Sequence, residues 1–301
     1  MDRILRWLSV LTSFVVLLVV LMGALVTNTG SADGCGATWP LCYGEVIPTG
    51  AHKETMIEFS HRAVAGLAGI LVVVQAVWAC IKFPKRKEIK FMTISSVFFI
   101  VLQALMGAAA VIWSQSSIVL ALHFGISLLS FASTLLLTIL IFEELSFRKR
   151  MIPDISKGMT WNYILLSLYS YIVIYSGAFV RHTDSSLGCL DFPRCNGEWV
   201  PDLYSRAGIQ YIHRTLAGLI VIWLLITIII VLLRYKREGY VLNGTLIAFL
   251  CVVLQAISGV IVIYSRMELP FVLMHSLFVT CFFATLTFVV MIALRRKEKR
   301  Y

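Results

Sequence analysis

Charge is what this sequence has least of. Only 14% of its 301 residues are Asp, Glu, Lys or Arg, against 59% hydrophobic, and mean hydropathy is +0.88. A soluble domain of this length cannot hide so much apolar surface, because a single core stops growing near this size. Lipid is therefore the expected solvent for most side chains. Acids are scarcer than bases, 16 against 26, which leaves a formal net charge of +10. That excess does not build a nucleic-acid face, since the bases sit in short clusters between apolar runs. No nucleic-acid partner is expected. An Arg-rich, Ser-rich amphipathic leader is also lacking, so nothing points to organelle import.

What is present is a series of eight apolar runs, roughly 6–27, 57–81, 91–113, 118–142, 161–180, 207–233, 241–264 and 270–294. Each is near the ~20 residues that cross a bilayer core as a helix. Basic residues choose the orientation. Arg3 and Arg6, Lys82 to Lys90, Arg148 to Lys157, Arg234 to Arg237 and Arg295 to Arg300 fall on one side, 19 against 7 on the other. The richer side is expected to be cytoplasmic, with both termini inside a bacterial cell membrane. The first run exceeds the apolar core of a signal peptide and has a copy later in the chain, so it is expected to be retained.

The halves repeat at an offset of about 152 residues. Gly23 to Cys35 (GALVTNTGSADGC) is echoed by Gly177 to Cys189 (GAFVRHTDSSLGC), and Trp39 to Cys42 by Phe192 to Cys195. His61-Arg62 is echoed by His213-Arg214, Leu102 to Gly107 by Leu254 to Gly259, and His123 by His275. Each half holds an even number of spans, so the copies share one membrane orientation. The expected fold is an all-α integral membrane protein with eight transmembrane helices as two tandem pseudo-symmetric four-helix bundles. Residues 1–145 form the first bundle, 146–160 a charged cytoplasmic linker and 161–301 the second bundle.

Duplication filters the polar residues. Of six histidines, His61, His123, His213 and His275 recur in both copies; His52 and His182 do not. Each recurring histidine sits about one turn into a span that starts on the outer side, ~6–9 Å below the helix start at ~1.5 Å per residue. Bundles build metal and cofactor sites from side chains on facing helices. Two imidazoles per half suit a six-coordinate haem iron. Zinc competes less well, because it takes three or four protein ligands.

Glu58 lies three residues before His61 and shares its helix face. Its equivalent is Gln210, so one copy keeps a carboxylate that the other lacks. Chemistry in the first half and cofactor holding in the second is one reading; an acid favoured by the helix dipole is the other. Arg62 and Arg214 are read either as partners of haem propionates or as anchors to lipid headgroups. Gln103 and Gln255 are expected to make interhelical hydrogen bonds.

Four cysteines lie in outer loops as two pairs, Cys35 with Cys42 and Cys189 with Cys195. Disulfides persist outside the membrane, and these pairs are expected to form them. The second pair reads as a loop staple; for the first, a staple and a redox role both stand. Cys80, Cys251 and Cys281 lie in spans and read as packing residues.

Together the eight spans, Glu58-x-x-His61-Arg62, the LHFGISLLSF run around His123, Ser176 to Thr183 and the paired-cysteine loops resemble the haem A synthases, in their Bacillus-type branch with cysteine pairs. The likeness covers essentially the whole chain. It implies oxidation of the C8 methyl group of haem O to a formyl group, making haem A for terminal oxidases. By that resemblance His213 and His275 ligate a resident haem b, and His61 and His123 bracket the haem O substrate. Glu58 matches the family's essential acid and would assist proton handling during successive hydroxylations. An electron acceptor is implied, and haem O synthase, the protohaem farnesyltransferase, is a candidate partner. The alternatives are a dihaem b-type electron carrier oxidising quinol, a membrane thiol oxidoreductase using the loop cysteines, and a transporter without pigment.

Overall fold

The computed structural model describes residues 2–49, 52–113, 116–146 and 150–295. Arg148 and Lys149 of the linker cluster, and the basic residues from Arg296 to Arg300, lie outside the described residues. Eight long helices appear: α1 (Asp2–Asn28), α2 (Lys53–Lys82), α3 (Lys87–Ile112), α4 (Ser117–Leu145), α5 (Lys157–His182), α6 (Arg206–Arg234), α7 (Gly239–Tyr264) and α8 (Leu269–Leu294). All eight are long and apolar enough to cross a membrane, and the described residues contain no β-strand beyond two isolated bridges. The chain is a multi-pass membrane protein.

Several helices begin before their apolar runs. α2 starts at Lys53 and α5 at Lys157, about a turn early. Hydropathy registers only the lipid-soluble part of a helix. Side-chain caps mark the starts of α5 and α6: the Ser156 hydroxyl accepts from the Met159 N–H at 3.1 Å, and Ser205 does the same for Gly208 at 3.1 Å.

The chain divides into two compact units, Met1–Arg148 and Lys149–Tyr301. In the first, α1 to α4 pack in order around a ring that closes where α4 meets α1. In the second, α5 to α8 make the same ring, closed by α8 against α5. α4 and α8 are the most enclosed helix of their unit. The outer face of α3 carries Phe91, Ile94, Phe98, Val101 and Leu105, a stripe at helical spacing that faces out of the ring.

Lipid tails are as apolar as leucine, so the helices associate through close packing and hydrogen bonds rather than by escaping water. In the first unit Ser13 and Gln75 both reach the Thr138 hydroxyl, at 2.8 and 2.9 Å, and Thr138 also bonds the Ser9 carbonyl at 3.1 Å. The second unit uses Tyr163 to Thr245 at 2.6 Å and Asn162 between Thr227 and Trp223 at 3.1 and 2.9 Å.

Each unit folds a loop back over one end of its ring, after α1 and after α5. Cys35 is bonded to Cys42 and Cys189 to Cys195. The loops seat tightly: a Cβ on Gly34 would lie 2.5 Å from the Glu54 carbonyl oxygen, and one on Gly188 2.5 Å from that of Arg206. Only glycine allows this approach.

Candidate functional site

The four recurring histidines occupy equivalent places. His61 and His213 sit on the second helix of their units, His123 and His275 on the fourth, so each pair stands across its ring. His61 is eight residues past Lys53 and His213 seven past Arg206, ~10–12 Å along the axis; His123 and His275 are six past Ser117 and Leu269, ~9 Å.

Every imidazole lies against a glycine of the preceding helix. A Cβ on Gly23 would stand 3.5 Å from His61 Cε1, and one on Gly107 3.3 Å from His123 Cε1. On Gly177 it would stand 2.8 Å from His213 Cε1, and on Gly259 3.1 Å from His275 Cε1. Gly23, Gly107, Gly177 and Gly259 all belong to the repeated motifs. Their function is to admit a ring.

The glutamines kept in both copies point at these rings. Gln103 Nε2 is 3.0 Å from His123 Nε2, and Gln255 Nε2 is 2.8 Å from His275 Nε2. These are the expected interhelical bonds, with the histidines as their partners. Two serines complete the second unit. Ser176 Oγ lies 2.8 Å from His213 Nδ1, and Ser258 Oγ 3.0 Å from His275 Nδ1. Sequence reasoning missed both serines because they occur in one copy only. In the first copy the equivalent residues are Met22 and Met106.

Glu58 and Gln210 are both buried, 4% and 5% exposed, and both hold the loop above them. Glu58 Oε2 accepts from the Cys35 N–H at 2.8 Å; Gln210 Oε1 accepts from the Cys189 N–H at 2.6 Å. They differ in the second atom. Glu58 Oε1 pairs with Arg62 Nη2 at 2.5 Å, whereas Gln210 Nε2 donates to the Ser186 carbonyl at 2.8 Å. The arginines hold the loops as well. Arg62 Nη1 donates to the Thr38 and Leu41 carbonyls at 2.6 and 2.9 Å. Arg214 donates to Asp191, Arg194 and Cys189 carbonyls at 2.9, 3.2 and 3.2 Å, and its Nε is buried without a hydrogen-bond partner.

A family model described as Cytochrome oxidase assembly protein, COX15-CtaA, matches residues 6–287. The chain belongs to this family. Relatives named Heme A synthase include one from Bacillus cereus strain AH187, 46% identical over 299 residues, covering 99% of this chain and 96% of that protein. Another, from Shouchella clausii strain KSM-K16, is 44% identical over 301 residues, covering 99% and 100%. A third, from Bacillus licheniformis, is 42% identical over 301 residues, covering 99% of each. The COX15-CtaA match takes in all four histidines, Glu58, Gln210 and the four loop cysteines.

The donor set fits haem iron. Among the described residues no three His, Cys, Asp or Glu gather to hold a bare metal ion. Two imidazoles per unit are too few for zinc. They are what a porphyrin iron needs once the macrocycle fills its other positions.

Proposed function

We propose that this chain is a haem A synthase of a bacterial cell membrane, oxidising the C8 methyl group of haem O to the formyl group of haem A. The observation that carries the reading is the set of four imidazoles, two per unit, each lodged against a glycine of the preceding helix. COX15-CtaA membership supports it over nearly the whole chain.

The units divide the work. In the second, His213 and His275 would hold a resident haem b, and the buried Nε–H of Arg214 is a donor suited to a propionate. In the first, His61 and His123 bracket haem O, with Arg62 serving its propionates and the loop together. Bound haem supplies the redox chemistry that an unactivated methyl group demands and side chains lack. The chain binds, orients and moves protons. Glu58 lies on the face of α2 that carries His61, less than one turn away, and takes up protons released as the methyl group is oxidised. The Cys35 N–H and Arg62 hold its carboxylate in place.

Both termini face the cytoplasm, and the disulfide loops lie outside, where such bonds persist. Haem O, farnesylated and apolar, reaches the first unit from lipid, delivered by the farnesyltransferase that makes it. Electrons leave to an acceptor in or at the membrane.

Pigment extracted from membranes expressing the chain beside a haem O source tests the proposal. Haem A accumulating alongside haem b is the expected result. Two equivalents of haem b and no haem A would instead make the chain a dihaem electron carrier.

A further inference from the structure

The Nδ1 side of the second unit's imidazoles is the strongest observation that the proposed function does not use. A serine hydroxyl has one proton. Ser176 gives its proton to the Val173 carbonyl at 2.7 Å, and Ser258 gives its proton to the Gln255 carbonyl at 2.9 Å. Each hydroxyl therefore accepts from the imidazole beside it. Both rings must then carry hydrogen on Nδ1 and a lone pair on Nε2. In His275 that lone pair accepts from the Gln255 amide at 2.8 Å, a bond that iron ligation would replace.

The first unit is built otherwise. Met22 and Met106 take the places of Ser176 and Ser258, and a thioether offers neither an O–H nor a strong acceptor. His61 Nδ1 is buried with no hydrogen-bond partner.

We infer that Ser176 and Ser258 are positioning residues that lock His213 and His275 as Nε2 ligands of a permanently held haem. Met22 withholds that lock from His61 of the first unit, whose haem would enter as substrate and leave as product. The inference rests on the proposed function and deepens it. One unit is made to retain its tetrapyrrole and the other to exchange it. A ligand whose far nitrogen donates to a fixed acceptor is oriented and more basic, and losing such a partner typically costs 10–100-fold in affinity.

The test uses the full-length protein purified with its pigment and mixed with excess apomyoglobin as a haem acceptor. Ser176→Ala, Ser258→Ala and the double change to Met are expected to speed haem b transfer on the order of 10-fold or more. They should also raise the haem b midpoint potential, because a less basic imidazole stabilises ferric iron less. Ser176→Thr, which keeps a hydroxyl, should restore both values, a rescue that a packing role would not produce. Unchanged transfer and potential in the alanine variants, with haem b still dependent on His213 and His275, would overturn the positioning role alone. Haem b content indifferent to His213→Ala and His275→Ala would overturn the proposed function with it.

Discussion

Glu58 and Gln210 stand at equivalent places in the two units and accept the same bond, from the N–H of the first cysteine in the loop above. That bond is scaffold, since an amide makes it as well as a carboxylate. The charge on Glu58 is surplus to it. Burying that charge needs Arg62 as a partner, a cost the second unit avoids by satisfying its amide with Ser186. The histidines repeat the lesson: the glycine beside each ring is common to both units, and the atom facing Nδ1 is not. Duplication preserved the architecture twice, and the departures from symmetry fall where the two proposed jobs would diverge.

The harshest challenge to that division is His275→Ala. Resident haem b should fall more than about tenfold, since the role proposed for the ring is that of a direct ligand. His123→Ala, its twin in the first unit, should leave haem b bound. Haemochrome assay of the two purified variants decides it; equal losses would mean that both units hold the same pigment.

Glu58→Gln turns the first unit's residue into the second's. The bond to Cys35 can persist through the amide oxygen, so folding and haem b content should hold. Conversion of haem O should drop on the order of 10²-fold or more, the scale of a lost proton-transfer group. Haem A formation near wild-type rates would reduce Glu58 to a loop staple and remove the chemical distinction between units. Gln210→Glu, which adds charge where no arginine pairs with it, should not confer conversion on the second unit.

Gly177→Ala and Gly23→Ala sharpen the comparison at the rings. A methyl on Gly177 would stand 2.8 Å from His213 Cε1, so the ring must shift; on Gly23 it meets His61 Cε1 at an ordinary 3.5 Å. Overpacking of this kind costs about 1–3 kcal/mol. The Gly177 change should therefore lower haem b occupancy several-fold and broaden its Soret band, and the Gly23 change should leave both alone. A similar response to the two substitutions would show that the glycine contacts do not seat the rings.

Much of this was legible before any coordinates. Eight apolar runs announce eight helices, and residues that survive duplication announced His61, His123, His213 and His275. The start of α2 was not legible, because Lys53 to Thr55 are polar and hydropathy is blind to a polar turn. The loop partners of Arg62 and Arg214 were hidden too. They are backbone carbonyls, and a carbonyl carries no residue identity to recognise. Ser176 and Ser258 escaped for a different reason. A filter that keeps what two copies share discards what they have exchanged, and at those positions the exchange of Ser for Met is the signal.

The smallest expected difference lies in the loops, outside the spans. Both turn through the same geometry, with Tyr43 and Gly44 at φ 54° and 82° and Asn196 and Gly197 at 56° and 86°. The first loop pins the Tyr43 N–H on the neutral Thr38 hydroxyl at 2.9 Å. The second pins the N–H groups of Gly197 and Asn196 on the Asp191 carboxylate, at 3.0 and 2.5 Å. Bonds from Gly197 and then Asn196, with Arg214 nearby, hold that carboxyl below its ordinary value. A depressed acid stabilises the fold fully above its unfolded pKa of about 3.9 and loses that contribution as pH falls through the lower folded value. Acidification should therefore strip amide protection from Asn196 and Gly197 while Tyr43 keeps its own, once exchange rates are corrected for pH. Asp191→Asn should erase most of the difference, since the amide oxygen remains an acceptor without a titrating proton. If Tyr43 lost protection in step with Asn196, the two loops would share one acid-sensitive support, and Asp191 would not be what sets them apart.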